Sequence, residues 1–520
     1  MTAPRATVAA LLAHAAARFG DHPYVVTPTA RLSYVEAERL SARRARWLLG
    51  RGVGKAARVG LFFANDVDWI LWWLAVSRIG AVAVPLSTLY APAEIAKVLR
   101  LADVGLLIAP ERVVRIDVGE RFEAALPGLA AQPAGRLALP DAPFLREVVI
   151  AGKTDRGWAT PFAAAGEPGV SADLLAAAEA QVFPADLAVM VHTSGSTADP
   201  KGVLHTHGTL VRQTSTWPAA IRAVTGVDGD VRVLCAMPFF WIGGLLAATG
   251  ALHDRATVLT LPRLEPGAAL DLLERERATG LVGWPAFTQR LREHPSFAAR
   301  DLSCAPLLRD GPLDIAMIDV PDGYPVHRTM TETAGGFAHT EIAIVDGHGG
   351  PVPDGTVGEL LVRGVGVMAG YNKRERSETF DADGWYHTGD RVYRRAGDPR
   401  LFYVGRTSEL IKTAGANVSP LEVEAVIEAL PEVAQCLVVG VEDPRRGEEV
   451  CAVVVPAGPD ADLARIAAHA RRELSSYKVP TRWVVTTSDR LPTLPSGKFS
   501  RRALAALIAD GALPSHRADG

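Results

Sequence analysis

The sequence predicts an α/β protein in two parts: a large N-terminal domain of α/β subdomains with a β-rich subdomain, and a small, mobile α+β C-terminal domain. Three observations carry this prediction. At 520 residues the chain exceeds the size at which one hydrophobic core keeps growing. Short runs rich in Val, Ile and Leu alternate with Ala-rich helical stretches, as strands do when helices carry the chain across to parallel neighbours. After Pro351 the texture changes to glycine-punctuated β segments, and beyond Gly405 a new pattern of helices and strands begins.

The elements follow in order. Thr7 to Ala16 is apolar enough to mimic a signal peptide, but it contains His14, continues into Arg18 and lacks a Lys/Arg-rich start, so an amphipathic helix is expected. Strands are expected at Ala57–Phe63, Gly80–Leu86, Leu106–Ala109, Val148–Ile150 and Thr257–Leu259. The most lipid-like run, Trp69 to Leu86, is broken by Arg78 and Gly80 and stops near Pro85, which reads as a buried helix followed by a strand. Gly358–Arg363 begins the β-rich part, which ends near Leu401–Gly405. The last part carries a helix at Pro420–Leu430, strands at Gln435–Val441 and Val450–Val455, and a helix at Asp462–Ser475. The polar Arg406-Thr407-Ser408 between the two parts suits a hinge, giving domains at 1–405 and 409–520 with the hinge at 406–408.

Composition narrows the function. With 48% hydrophobic and 22% charged residues this is an ordinary globular composition, and a net charge of −3 gives no reason to expect nucleic acid or an anionic membrane as partner. The four cysteines, Cys235, Cys304, Cys436 and Cys451, lack C-x-x-C spacing, which argues against a zinc site and for a reducing, cytoplasmic setting.

The chemistry concentrates in VHTSGSTADPKGV, Val191 to Val203. An apolar strand leads into a loop of Thr, Ser and Gly closed by Lys201, which offers backbone N–H groups, hydroxyls and one cation to a polyphosphate. A flexible surface loop would explain the serines and glycines, but not the Pro200-Lys201-Gly202 ending. The Walker order Gly-Lys-Ser/Thr is missing, and no G-x-G-x-x-G follows a strand.

This stretch resembles the phosphate loop of the adenylate-forming superfamily, which contains acyl-CoA synthetases, luciferases and peptide-synthetase adenylation domains. Four more segments resemble that family's motifs in the right order: Thr329–Thr333 (TMTET), Tyr386–Asp390 (YHTGD), Gly405–Lys412 continuing to Gly415–Glu424, and Pro495–Lys498 (PSGK). The texture of Gly405–Glu409 and Tyr371–Glu375 is closest to the fatty-acyl-CoA ligase branch. The resemblance implies ATP, Mg2+ and coenzyme A as co-substrates and a carboxylic acid, fatty or bulky alicyclic, as the acyl donor. It implies that Thr193, Ser194, Gly195, Ser196, Thr197 and Lys201 hold the β and γ phosphates. Glu332 would ligate Mg2+, Thr331 would reach the α-phosphate, and Asp390 would take the ribose hydroxyls with Arg406 nearby. Lys498 would meet the charge shared by carboxylate and α-phosphate, and Ser408 would be the pivot that brings Gly415 and Asn417 forward for thiol attack. Pro238–Gly244 (PFFWIGG) resembles the segment that carries a gating aromatic, which puts Trp241, Gly243 and Gly244 beside the acyl and pantetheine channel.

Three departures from the family pattern fall on the adenylation half. Ala198 stands where glycine is usual, and Arg328-Thr329 where an aromatic-glycine pair is usual. Leu307–Pro312 is a poor match to the adenine-contacting segment, and Thr333 runs almost directly into the strand Glu341–Val345. Two readings stay open within the fold: a complete ATP-dependent acyl-CoA ligase, and a relative that only transfers a preformed acyl-adenylate to CoA. A non-enzymatic binder of AMP-like ligands is a third, although such a protein would have no use for Lys498. Oligomeric state, homodimer included, is left open by the sequence.

Overall fold

The computed structural model describes residues 4–163, 169–193, 199–311, 333–334, 337–338, 340–398, 401–406, 410–458, 462–492 and 499–517. The chain divides into two compact units. The first comprises Met1–Thr88, Leu99–His192 and Gly202–Gly405; the second comprises Leu89–Val98, Thr193–Lys201 and Arg406–Gly520.

Two mixed sheets dominate the first unit. Among the described residues one has eight strands, and its central Leu187–Thr193, Val82–Pro85, Arg58–Leu61, Leu106–Pro110 and Glu147–Ala151 run parallel. Their apolar runs are continuous rather than alternating because helices cover both faces. The other sheet places Gly280–Val282, Val231–Cys235, Ala256–Leu259 and Pro23–Val26 in parallel, with Arg31–Ser33 antiparallel at the edge. A third sheet, of Glu341–Val345, Gly358–Arg363, Tyr386–Arg394 and Leu401–Arg406, is the β-rich part expected from the glycine-punctuated segments.

The helices obey simple burial rules. Val8–Phe19 is N-capped by the Thr7 hydroxyl, which accepts from Ala10 N–H, and it buries Val8, Leu11, Leu12 and Ala15 along one stripe. Val67–Arg78 is buried all round, with Trp69, Trp72 and Trp73 fully enclosed. Its buried Arg78 is neutralised by Glu38 at 2.7 Å and Glu179 at 2.5 Å. Among the described residues no helix is long and apolar enough to cross a membrane.

In the second unit the long hairpin Val433–Asp443 and Gly447–Pro456 is apolar on both faces. Cys436, Val438, Val450, Ala452 and Val454 pack with Ile427, Ile466 and Trp483. The alternate residues Leu437, Val439, Val441, Cys451 and Val453 pack with Leu504 and Ile508. Helices from each side, Pro420–Glu428 and Leu463–Glu473 against one face and Arg501–Ala509 against the other, follow directly from that double-sided run.

Candidate functional site

Ligands of open α/β sheets bind beyond the carboxyl ends of the parallel strands, and several predicted residues lie there. The strand Leu187–Thr193 is buried through His192 and emerges at an exposed Thr193. Burial pushes the His192 imidazole down to about 4, so at neutral pH it packs as an uncharged ring. The chain resumes with Asp199, whose carboxylate pairs with Lys97 at 2.5 Å, and reaches Lys201 at the start of the strand Lys201–Thr206. Gly202 is closely packed: a Cβ there would stand 2.7 Å from Met190 Sδ and 3.2 Å from Asn372 Cβ. Ser194, Gly195, Ser196 and Thr197, with Ala198, lie outside the described residues, as do Arg328, Thr329, Thr331, Glu332, Ser408 and Lys498.

Asp390 is aimed by a β-bulge. Glu359 pairs with Arg391 and Leu361 with His387, so Thr388, Gly389 and Asp390 together face Leu360 alone. Gly389 takes φ +72°, a conformation that favours glycine. The Thr388 hydroxyl donates to Leu360 O at 2.7 Å and accepts from Asp390 N–H at 3.0 Å. Arg406 ends the neighbouring strand Leu401–Arg406.

A second group sits where the other parallel sheet ends. Trp241 precedes the helix Ile242–Gly250, and its N–H donates to Pro238 O at 3.1 Å in a tight turn. Both following glycines are tightly packed, Gly244 against backbone and Gly243 against a flexible side chain. A Cβ on Gly244 would come within 2.2 Å of Pro238 O, and one on Gly243 within 2.5 Å of Met237 Cε. Trp241 meets Trp284, just past the strand Gly280–Val282, edge to face at 5.8 Å and 81°. Neither indole is fully buried.

Sequence reasoning missed Asn65. Buried just beyond the strand Arg58–Leu61, its amide donates to Met237 O at 2.9 Å and Thr260 Oγ1 at 3.0 Å, and accepts from Phe239 N–H at 2.7 Å. It thus ties the carboxyl ends of the two parallel sheets together. A buried asparagine directly after a strand was the available signal.

In the second unit Ala414 and Gly415 take φ +49° and +85° and form the two-residue turn between Ile411–Thr413 and Ala416–Val418. Asn417 is exposed opposite Lys412. Leu307, in the segment that matched poorly, lies in the short helix Pro306–Asp310, whose end is held by Arg292 donating to Leu308 O at 2.9 Å and Gly311 O at 2.7 Å.

Comparison with known proteins decides the family. The profile of the AMP-binding enzyme family matches residues 12–311 and 315–372, and that of the AMP-binding enzyme C-terminal domain matches 422–498. This chain is an AMP-binding enzyme of the adenylate-forming superfamily. Among relatives, a feruloyl-CoA synthase from Amycolatopsis sp is 34% identical over 90% of this chain and 92% of its own. A (methyl-dioxo-octahydroindenyl)propanoyl:CoA ligase from Mycobacterium tuberculosis (strain ATCC 25618 / H37Rv) is 31% identical over 96% of this chain and 98% of its own. The solved structure of the amide bond synthetase McbA from Marinactinospora thermotolerans covers 96% of this chain and 99% of its own, with a TM-score of 0.74 and 25% identity. The AMP-binding enzyme described here therefore falls in the ATP-dependent acyl-CoA ligase branch, with the large N-terminal and smaller C-terminal domains of that superfamily.

Proposed function

We propose that this enzyme joins a bulky, cyclic carboxylic acid to CoA through an acyl-adenylate, releasing AMP and pyrophosphate. The observation that carries the choice of acid is the edge-to-face pair of Trp241 and Trp284 beside Gly243 and Gly244 at the carboxyl ends of parallel strands. Two rigid aromatic faces suit a flat or fused ring better than a flexible aliphatic chain. The names of the feruloyl-CoA and octahydroindenyl-propanoyl-CoA relatives support the same class.

In this reading Thr193, Ser194, Gly195, Ser196, Thr197 and Lys201 cradle the terminal phosphates of ATP. Glu332 carries Mg2+, Thr331 reaches the α-phosphate, and Asp390 with Arg406 takes the ribose. Lys498 stabilises charge as the carboxylate attacks and pyrophosphate leaves. The chain divides at the 406–408 hinge into 1–405 and 409–520, and rotation about Ser408 exchanges Lys498 for Gly415 and Asn417 in the thioester step. Magnesium would supply Lewis-acid charge on the departing phosphates, and the fit of its site rests on Glu332.

The test is a panel of linear, aryl and fused-ring acids with Mg-ATP and CoA, ranked by kcat/KM from pyrophosphate release. Cyclic acids should lead, and Trp284→Ala should compress the ranking by about two- to tenfold, since an aromatic contact is worth about 0.5–1.5 kcal/mol. Preference for a linear fatty acid, unchanged in Trp284→Ala, would overturn the choice of acid. The likeness to McbA favours a second question, whether an amine can take the place of CoA, and an amine-only tube answers it.

A further inference from the structure

We infer that Glu359 is a positioning residue for nucleotide binding: it fixes the bulge that presents Asp390 to the ribose. The inference rests on the proposed role of Asp390. A bulge leaves backbone groups off the strand ladder, and each must find another partner. Here three residues face one, and the N–H groups of two of them have specific side-chain acceptors. Asp390 N–H uses Thr388 Oγ1, and Gly389 N–H uses Glu359 Oε1 at 3.1 Å. The acceptor is a carboxylate on the facing strand Gly358–Arg363, so the bond is charge-assisted and crosses between strands.

The second Glu359 oxygen is held as well. Oε2 lies 3.4 Å from His387 Nδ1, and His387 Nε2 lies 3.6 Å from Asp381 Oδ2. Glu359 therefore touches the residues on both sides of Thr388. Without it Gly389, which has the φ freedom of glycine, could rotate its peptide and swing the Asp390 carboxylate off its line. Nothing in the motif Tyr386–Asp390 assigns this work, because the residue that performs it lies on another strand.

The test measures binding of AMP, and of its dideoxy analogue lacking both ribose hydroxyls, by titration calorimetry on the full chain. Melting temperature monitors folding. The readout is the affinity ratio between the two ligands, which general destabilisation does not move. The wild type should prefer AMP, and Asp390→Ala should erase the preference. Glu359→Ala should lower AMP affinity by about tenfold while leaving the dideoxy analogue alone. Glu359→Gln, which keeps an acceptor oxygen for Gly389 N–H, should restore the ratio. Glu359→Met, of similar length but without an acceptor, takes the place of Glu359→Ala should that variant fail to fold. A full AMP preference in Glu359→Ala or Glu359→Met, where Asp390→Ala has lost it, would overturn the positioning role and leave the nucleotide reading intact. An undiminished preference in Asp390→Ala, or no AMP binding by the wild type, would overturn the Asp390 reading and this inference with it.

Discussion

Lys478 Nζ donates to Glu422 Oε1 at 2.7 Å inside the second unit, with side chains only 4% and 9% exposed. The same ammonium lies 2.7 Å from Glu94 Oε1, and Glu94 Oε2 accepts from Ser475 Oγ and from Ala91 N–H. Burial alone would lower the Lys478 pKa, but the Glu422 and Glu94 carboxylates outweigh it and hold it above the ordinary value. One cation thus anchors the segment Leu89–Val98 to the helix Pro420–Glu428.

Removing that cation strands two buried carboxylates. Lys478→Met should cost about 3–5 kcal/mol in the second unit, whereas Lys478→Met combined with Glu422→Leu and Glu94→Gln should recover much of it. Hydrogen exchange along Val433–Asp443 reports the loss locally. A cost in Lys478→Met below about 1 kcal/mol would show that the network adds no more than a surface pair does.

Acid should loosen the first unit before it affects the chemistry. Burial pushes His192, His205, His207 and His253 down to about 4 from the ordinary 6.5. Because the folded state binds these protons more weakly, their contribution is fully present above about pH 6.5 and is lost as pH falls towards 4. Each can add a slope of up to about 1.4 kcal/mol per pH unit within that window. His192→Gln should remove one such share from a denaturation series between pH 7 and 5; an unchanged slope would contradict the assignment.

The two glycines after Trp241 should differ in kind. Gly244→Ala places a methyl group 2.2 Å from a backbone oxygen, so the turn must move, at about 1–3 kcal/mol. Gly243→Ala meets only the end of the flexible Met237 side chain and should cost under about 1 kcal/mol. Thermal melts of the two variants check the order.

Asn65→Ala leaves Phe239 N–H and Met237 O without their partner in a buried place, which should cost about 2–4 kcal/mol. Because it also frees the turn that carries Trp241, acid selectivity should fall with stability. Selectivity retained at full strength would mean that the turn holds itself.

What was legible in the sequence was local. The run at Val148–Ile150 became the strand Glu147–Ala151, Trp69–Leu86 became a buried helix and the strand Val82–Pro85, and the strands expected at Gln435–Val441 and Val450–Val455 became the core hairpin. The family was legible too, since each stretch that carries the resemblance lies within a few residues. Asn65, Glu359 and Lys478 did not, because each acts on partners far along the chain: 174 residues from Asn65 to Phe239, 30 from Glu359 to Gly389, 56 from Lys478 to Glu422. A lone polar residue in an apolar setting signals a partner without naming it. The bulge at Thr388–Asp390 was equally hidden, since only pairing register shows that three residues face one.

The most direct test of the central claim is mass-spectrometric detection of acyl-CoA in two parallel tubes of purified protein. One holds cyclic carboxylic acids with Mg-ATP and CoA, the other the matching synthetic acyl-adenylates with CoA. A complete ligase yields acyl-CoA in both. Product from the adenylates alone, across the whole panel of acids, would contradict the account and leave VHTSGSTADPKGV a phosphate loop in an enzyme that no longer adenylates.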